Sequence, residues 1–217
     1  MISTKKSRTF KALIFFLNDI GDKFDTLALK RLVDFVFMVT EKILIHFPRY
    51  IGFYIRYYDD IIEHEISIAK MSHSSKIIHI GCGSIPASSI LLAQKTGGFV
   101  LGIDRDQHAV DHARRCIADS GLSKQVDIRK DDAALDSDLS SFDVILISQG
   151  IAPKEPVLQA LSKKIIDDHI IILRSFSTSE SLEEQDLFLS DYYTIHQVFH
   201  HKIHGSTISI FLKKKNN

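Results

Sequence analysis

A six-residue run, Gly81-Cys82-Gly83-Ser84-Ile85-Pro86, and an aspartate 23 positions beyond its first residue, Asp104, are where residue type and spacing first point to chemistry in this 217-residue sequence. Glycines let a chain turn sharply and bring its backbone close to a ligand. A carboxylate that closes the next apolar run, at that distance, is placed to accept from the hydroxyls of a ribose. Each has an ordinary explanation alone: a tight turn for the glycines, a helix cap for the acid. Together they point to a nucleoside-type ligand. Asp131 and Asp132, after a third apolar run, are either within reach of an adenine amino group or plain solvated loop acids. A dinucleotide fingerprint would need glycine at position 86, where Pro86 stands, so no pyrophosphate is indicated.

Four histidines near the C-terminus, His196, His200, His201 and His204, resemble a metal cluster in composition. They fall on or beside an alternating segment and in the turn after it, with no acid or cysteine at ligand spacing, so no metal is expected. Cys82 lies in the glycine loop without a nearby histidine–acid pair to make it a nucleophile.

These residues need elements to position them. From Lys76 onward short apolar runs alternate with helical periodicity. Strands are expected at Lys76–Ile80, Phe99–Asp104, Val126–Ile128, Phe142–Ser148 and His169–Arg174. Helices are expected at Ala87–Lys95, after the cap Asp106 with Gly121 as its stop, and at Pro156–Ile165. Ser181-x-x-Glu184 is a capping box opening a last helix to about residue 190. Tyr193–Phe199 and Thr207–Leu212 alternate as an edge hairpin does. Strand–helix alternation with short connections predicts an α/β, doubly wound, Rossmann-like parallel sheet. The closing hairpin narrows it to the sheet of class I S-adenosylmethionine (SAM)-dependent methyltransferases. Residues 1–72 differ: helix-period positions such as Leu29, Leu32, Val33 and Val36, and a helix from about Arg49 to Met71 started by Pro48, predict an N-terminal helical cap over a domain of residues 73–217.

Composition limits the partners. Lys+Arg and Asp+Glu both number 27, and that balance argues against nucleic acid and anionic membranes. A chain this long buries roughly 70% of its unfolded surface and folds without disulfides. Two cysteines fit a reducing cytoplasm. Lys5, Lys6 and Arg8 precede the apolar stretch Phe10–Leu17 as in a signal peptide, but the stretch is short and runs into Asn18, Asp19 and Asp22. No apolar run is long enough to span a bilayer. The location expected is the cytoplasm, with peripheral membrane contact by the first helix left open.

The loop Gly81–Ser88 resembles the glycine-x-glycine-small-aliphatic-proline loop of nicotianamine synthases and related opine-metallophore synthases. The usual methyltransferase loop has an acid where His79 stands and glycine where Ile85 stands. Leu101–Asp106 with Ala109-Val110-Asp111 and Arg114-Arg115 is similar to the family's ribose-binding strand and helix. Pro153-Lys154 and Leu173-Arg174-Ser175 match its fourth and fifth strand ends, and Tyr58–Glu65 its tyrosine and acid helix. The resemblance covers roughly residues 50–176, and the first 45 residues carry no match in these motifs.

What the resemblance implies is transfer of the 3-amino-3-carboxypropyl arm of SAM, the co-substrate, to an amino-acid amine. Gly81, Gly83, Ser84, Pro86, Asp104 and Asp132 would hold SAM. Tyr58 and Glu65, seven residues apart on one helix face, would be catalytic, because a neutral amine nucleophile needs a phenol or carboxylate to accept its proton. Core packing and simple surface exposure are the competing explanations. Arg174 would capture an amino-acid carboxylate in bidentate fashion unless it is paired with Asp143 or Asp168, and Lys154 would assist it. The expected partner is a small amino-acid acceptor, with a homodimer allowed. The alternatives are a small-molecule N- or O-methyltransferase and a non-catalytic SAM-binding module.

Overall fold

A computed structural model of the chain describes residues 39, 43–132, 139–165, 168–176, 189–201 and 207–215. Helix α1 (Pro48–Tyr57) starts on its proline, whose missing N–H is one the first turn leaves unpaired anyway. The single helix expected from Arg49 to Met71 is two. The amide of Tyr58 donates to the Ile55 carbonyl, one residue short of the α-helical partner, and this tightened turn separates α1 from α2 (Asp59–Ala69). Helix α2 stops at Lys70, which takes a left-handed conformation (φ 52°) while the Met71 amide returns to the Ile66 carbonyl.

Seven strands follow in one sheet among the described residues: β1 (Lys76–Ile80), β2 (Phe99–Asp104), β3 (Val126–Lys130), β4 (Val144–Ile147), β5 (Ile170–Phe176), β6 (Tyr193–His200) and β7 (Thr207–Lys214). Their order is β3-β2-β1-β4-β5-β7-β6. The first five are parallel, and β7 enters antiparallel between β5 and the edge strand β6, so the expected terminal hairpin is present. Helices α3 (Ala87–Thr96), α4 (Gln107–Asp119) and α5 (Glu155–Lys164) make the crossovers. The Asp106 carboxylate accepts from the His108 amide, as expected of a cap. The Ser181-x-x-Glu184 capping box lies outside the described residues, as does nearly all of the chain before Ile43.

Side chains on alternate positions of a strand face opposite ways, and the core divides accordingly. Ile77, Val100, Leu146 and Ile172 pack with α3 and α4 through Leu92, Val110 and Ala113. Ile78, Leu101, Ile145 and Leu173 pack on the other face with Val157, Leu158 and Leu161 of α5. A third cluster of Leu44, Tyr54, Ile85 and Ala87 sets α1 on the far end of the glycine loop. Lys95 of α3 adds ion pairs to Asp59 (2.9 Å) and Glu63 (2.7 Å) of α2. No helix among the described residues is long and apolar enough to cross a membrane.

Candidate active site

Strand order reverses between β1 and β4, and in open α/β sheets the ligand crevice lies outside the carboxyl ends of the strands at that point. The glycine loop leaves β1 there. Gly81 and Gly83 both have positive φ (76° and 70°), which disfavours any side chain. At Gly81 a Cβ would also lie 2.6 Å from the Ile151 side chain. The amides of Gly81 and Cys82 both donate to the Ile103 carbonyl of β2, which folds the loop back over the strand end.

Asp104 ties this loop to the next helix. One oxygen accepts from the Gly83 amide (2.9 Å) and the other from the Asp106 amide (3.0 Å). A carboxylate oxygen has capacity for more than one donor, so each can still accept from a sugar hydroxyl. Pro86 is buried as the residue before α3, and its carbonyl accepts the Ile90 amide. Ser84 is half-buried, its carbonyl facing the Cys116 thiol at 3.7 Å. Asp132 is exposed, and the neighbouring Asp131 amide returns to the Asp104 carbonyl, so both acids follow β3 on the Asp104 side of the crevice. Lys154 precedes α5 and donates to the Gln149 carbonyl (2.9 Å), closing the loop after β4.

Tyr58, Glu65 and Arg174 come together. Arg174 gives Nε and Nη2 to the two oxygens of Glu65 (2.8 and 2.7 Å) and Nη1 to Ser88 Oγ (2.7 Å). The ion-pair partner is therefore Glu65 of α2, and not Asp143 or Asp168; Asp143 instead accepts the Lys76 amide. The bidentate carboxylate that sequence reasoning expected from an acceptor is supplied by the chain itself. Glu65 is fully buried and Arg174 is 3% exposed. Burial opposes the arginine's charge, but Glu65 outweighs it and holds its pKa above the usual value. Ser209 of β7 donates to Glu65 Oε1 (2.6 Å). With that proton committed, His201 Nε2, 2.8 Å from Ser209 Oγ, must be the donor to it. Tyr58 lies at the helix junction, its ring 5.8 Å from the Arg174 guanidinium and its hydroxyl 3.3 Å from that of Tyr54.

Sequence reasoning passed over a second buried group. His79 of β1 is 2% exposed, with Nδ1 2.8 Å from Ser89 Oγ and Nε2 2.7 Å from Ser148 Oγ at the end of β4. Burial, and then the nearby Arg174 charge, lower its pKa to about 3, so the imidazole is neutral. The polar residue in the otherwise apolar run Ile77–Ile80 was the available signal. Ser88 and Ser89, adjacent on α3, divide the work: one bonds Arg174, the other His79.

An L-histidine 2-aminobutanoyltransferase of Yersinia pestis is 26% identical over 121 residues, 56% of this chain and 45% of the relative. The chain thus spans about half the length of the curated relatives it matches. Crystal structures of MtNAS align along the fold: one in complex with MTA and tNA at TM-score 0.70 and 18% identity, covering 95% of this chain and 76% of that one. An RNA methyltransferase of Salinibacter ruber, in complex with S-adenosyl-L-homocysteine, aligns at TM-score 0.56 and 14% identity over 71% of this chain and 89% of its own. The sheet is that of the SAM-dependent methyltransferases. The nicotianamine synthase protein family matches residues 20–216, a wider span than the motifs between 50 and 176. The chain belongs to the nicotianamine synthase family.

Proposed function

We propose that the chain is an aminocarboxypropyltransferase, moving the 3-amino-3-carboxypropyl group of SAM onto the amine of an amino acid. The observation that carries this is the Asp104 carboxylate bonded to the Gly83 amide at the β1–β4 crevice, with the tyrosine-bearing junction of α1 and α2 set on the same loop through Ile85 and Ala87. Family membership and the names of the relatives support it. Gly81, Gly83, Ser84, Pro86 and Asp104 would hold the nucleoside, with Asp132 beside the base. Residues 1–72 act in this reading as the cap over a domain of residues 73–217. The location is the cytoplasm.

SAM supplies a sulfonium whose adjacent carbons are electrophilic. In the transfer the amine lone pair forms a bond to the γ-carbon of the arm and the carbon–sulfur bond breaks. Sulfur keeps that electron pair and leaves as the neutral thioether of 5′-methylthioadenosine; the new ammonium gives its proton to water. The Tyr58 oxygen accepts a hydrogen bond from the amine and aims its lone pair in line. Glu65, committed to Arg174 and Ser209, holds Arg174 beside Tyr58 and does not itself take the proton. Arg174 in turn fixes the Tyr58 ring. Acceptor carboxylate binding then falls to other groups, Lys154 first.

The test is product analysis after incubation with SAM and free histidine, aspartate or glutamate. Methylthioadenosine with an aminocarboxypropylated amino acid is expected. S-adenosylhomocysteine with a methylated acceptor would make the chain a methyltransferase, and SAM binding without either product would make it a binding module.

A further inference from the structure

His79 and Ser148 stand apart from every role assigned so far. They sit on β1 and at the end of β4, the two strands that border the crevice. The Ser148 amide donates to the Ile80 carbonyl (3.0 Å), which fixes its backbone beside the glycine loop. Its Cβ is 3.5 Å from where a Gly81 side chain would begin. Asp104 lies on the other side of β1, so the strand order puts the ribose acceptor and the Ser148 hydroxyl on opposite flanks of the same loop. A nucleoside whose sugar is held at Asp104 and which extends across β1 brings its 5′ substituent to Ser148.

A neutral imidazole gives one hydrogen bond and takes one. Clamped between Ser89 and Ser148, it uses one of the three hydrogen-bonding positions of the Ser148 hydroxyl and leaves the others directed away from itself. An ionised imidazole would add a second cation near Arg174 and donate to both serines, which burial disfavours. Ser148 is half-buried, so part of the residue at the end of β4 stays accessible.

We propose that Ser148 binds the charged amino-acid end of the sulfonium nucleoside and that His79 is the positioning residue that orients it. This rests on the SAM reading above. It concerns recognition of the transferred arm, for which an ammonium and a carboxylate in one group would reward a fixed hydroxyl. The methyl and ribose portions would not sense it.

The experiment compares two ligands on the full chain by calorimetry: SAM, and 5′-methylthioadenosine, which lacks the arm. Ser148→Ala should weaken SAM binding roughly tenfold, the loss of one hydrogen bond to a charged group, and change methylthioadenosine binding less than about twofold. His79→Gln should show the same selectivity. The double variant should be no weaker for SAM than Ser148→Ala by more than about threefold, because the two act through one contact. Should His79→Gln not fold, Ser89→Ala, which removes the imidazole's other partner, takes its place. Equal losses for both ligands, an unchanged SAM affinity in Ser148→Ala, or additive losses in the double variant would overturn the assignment while leaving SAM binding intact. Wild-type protein that binds neither ligand would overturn the SAM reading itself, and this inference with it.

Discussion

Burial of a neutral imidazole makes folding stability depend on pH in a way that can be worked out for His79. Its pKa is lowered from 6.5 to about 3, first by burial and then by the Arg174 charge. Below pH 6.5 the unfolded chain binds a proton here that the folded chain refuses. Stability from this group is therefore complete above that pH and is lost as pH falls through the window between 6.5 and about 3. Between pH 7 and pH 5 the loss is about 2 kcal/mol, taking 1.36 kcal/mol per pKa unit, and any folded value below about 4 gives nearly the same figure. For a chain of this length that lowers the melting temperature by about 4–8 °C. The assay is thermal unfolding of wild-type protein and His79→Gln at pH 7 and pH 5. The chain has 11 histidines, and the other ten are common to both proteins, so the difference between the two pH shifts isolates position 79. The variant should be less stable at pH 7 and should lose about 4–8 °C less on acidification. Identical pH shifts would refute a buried neutral imidazole, whatever the variant's stability at pH 7.

Three further outcomes are expected. Glu65→Ala leaves the Arg174 cation buried without its bidentate partner and should cost about 3–5 kcal/mol in chemical denaturation, whereas the double change Glu65→Leu with Arg174→Met should recover most of it. Full recovery would assign the pair to structure, while recovery of stability without turnover would assign it to holding Tyr58. Asp104→Ala should weaken SAM binding by roughly 1.5–3 kcal/mol, and Asp104→Asn by less, since an amide oxygen still accepts from the loop; unchanged calorimetry in both would remove the ribose role. Tyr58→Phe keeps the ring against Arg174 but deletes the hydroxyl, so methylthioadenosine release should slow with SAM affinity held within about threefold; equal loss of both would make Tyr58 a packing residue.

Local residue chemistry carried much of the fold. The glycine loop, the Asp106 cap, Pro48 at a helix start and the parallel core strands follow from φ preferences, hydrogen-bonding side chains and apolar runs, all properties of neighbours in the chain. The closing hairpin was legible from alternation, though not that β7 would insert between β5 and β6; that depends on which edge offers free backbone groups and apolar cover. The break at Tyr58 was hidden because a tightened turn costs little when a tertiary contact, here with Arg174, favours it. The loop and Asp104 were readable as a candidate ligand site because 23 residues of loop, helix and strand return the chain to the end of the neighbouring strand. The partners of Arg174 and His79 were not. Arg174 meets Glu65 across 109 residues and His79 meets Ser148 across 69. A buried charge takes whichever opposite charge the packed elements bring within reach, and only the folded sheet and the helices on it decide which one that is.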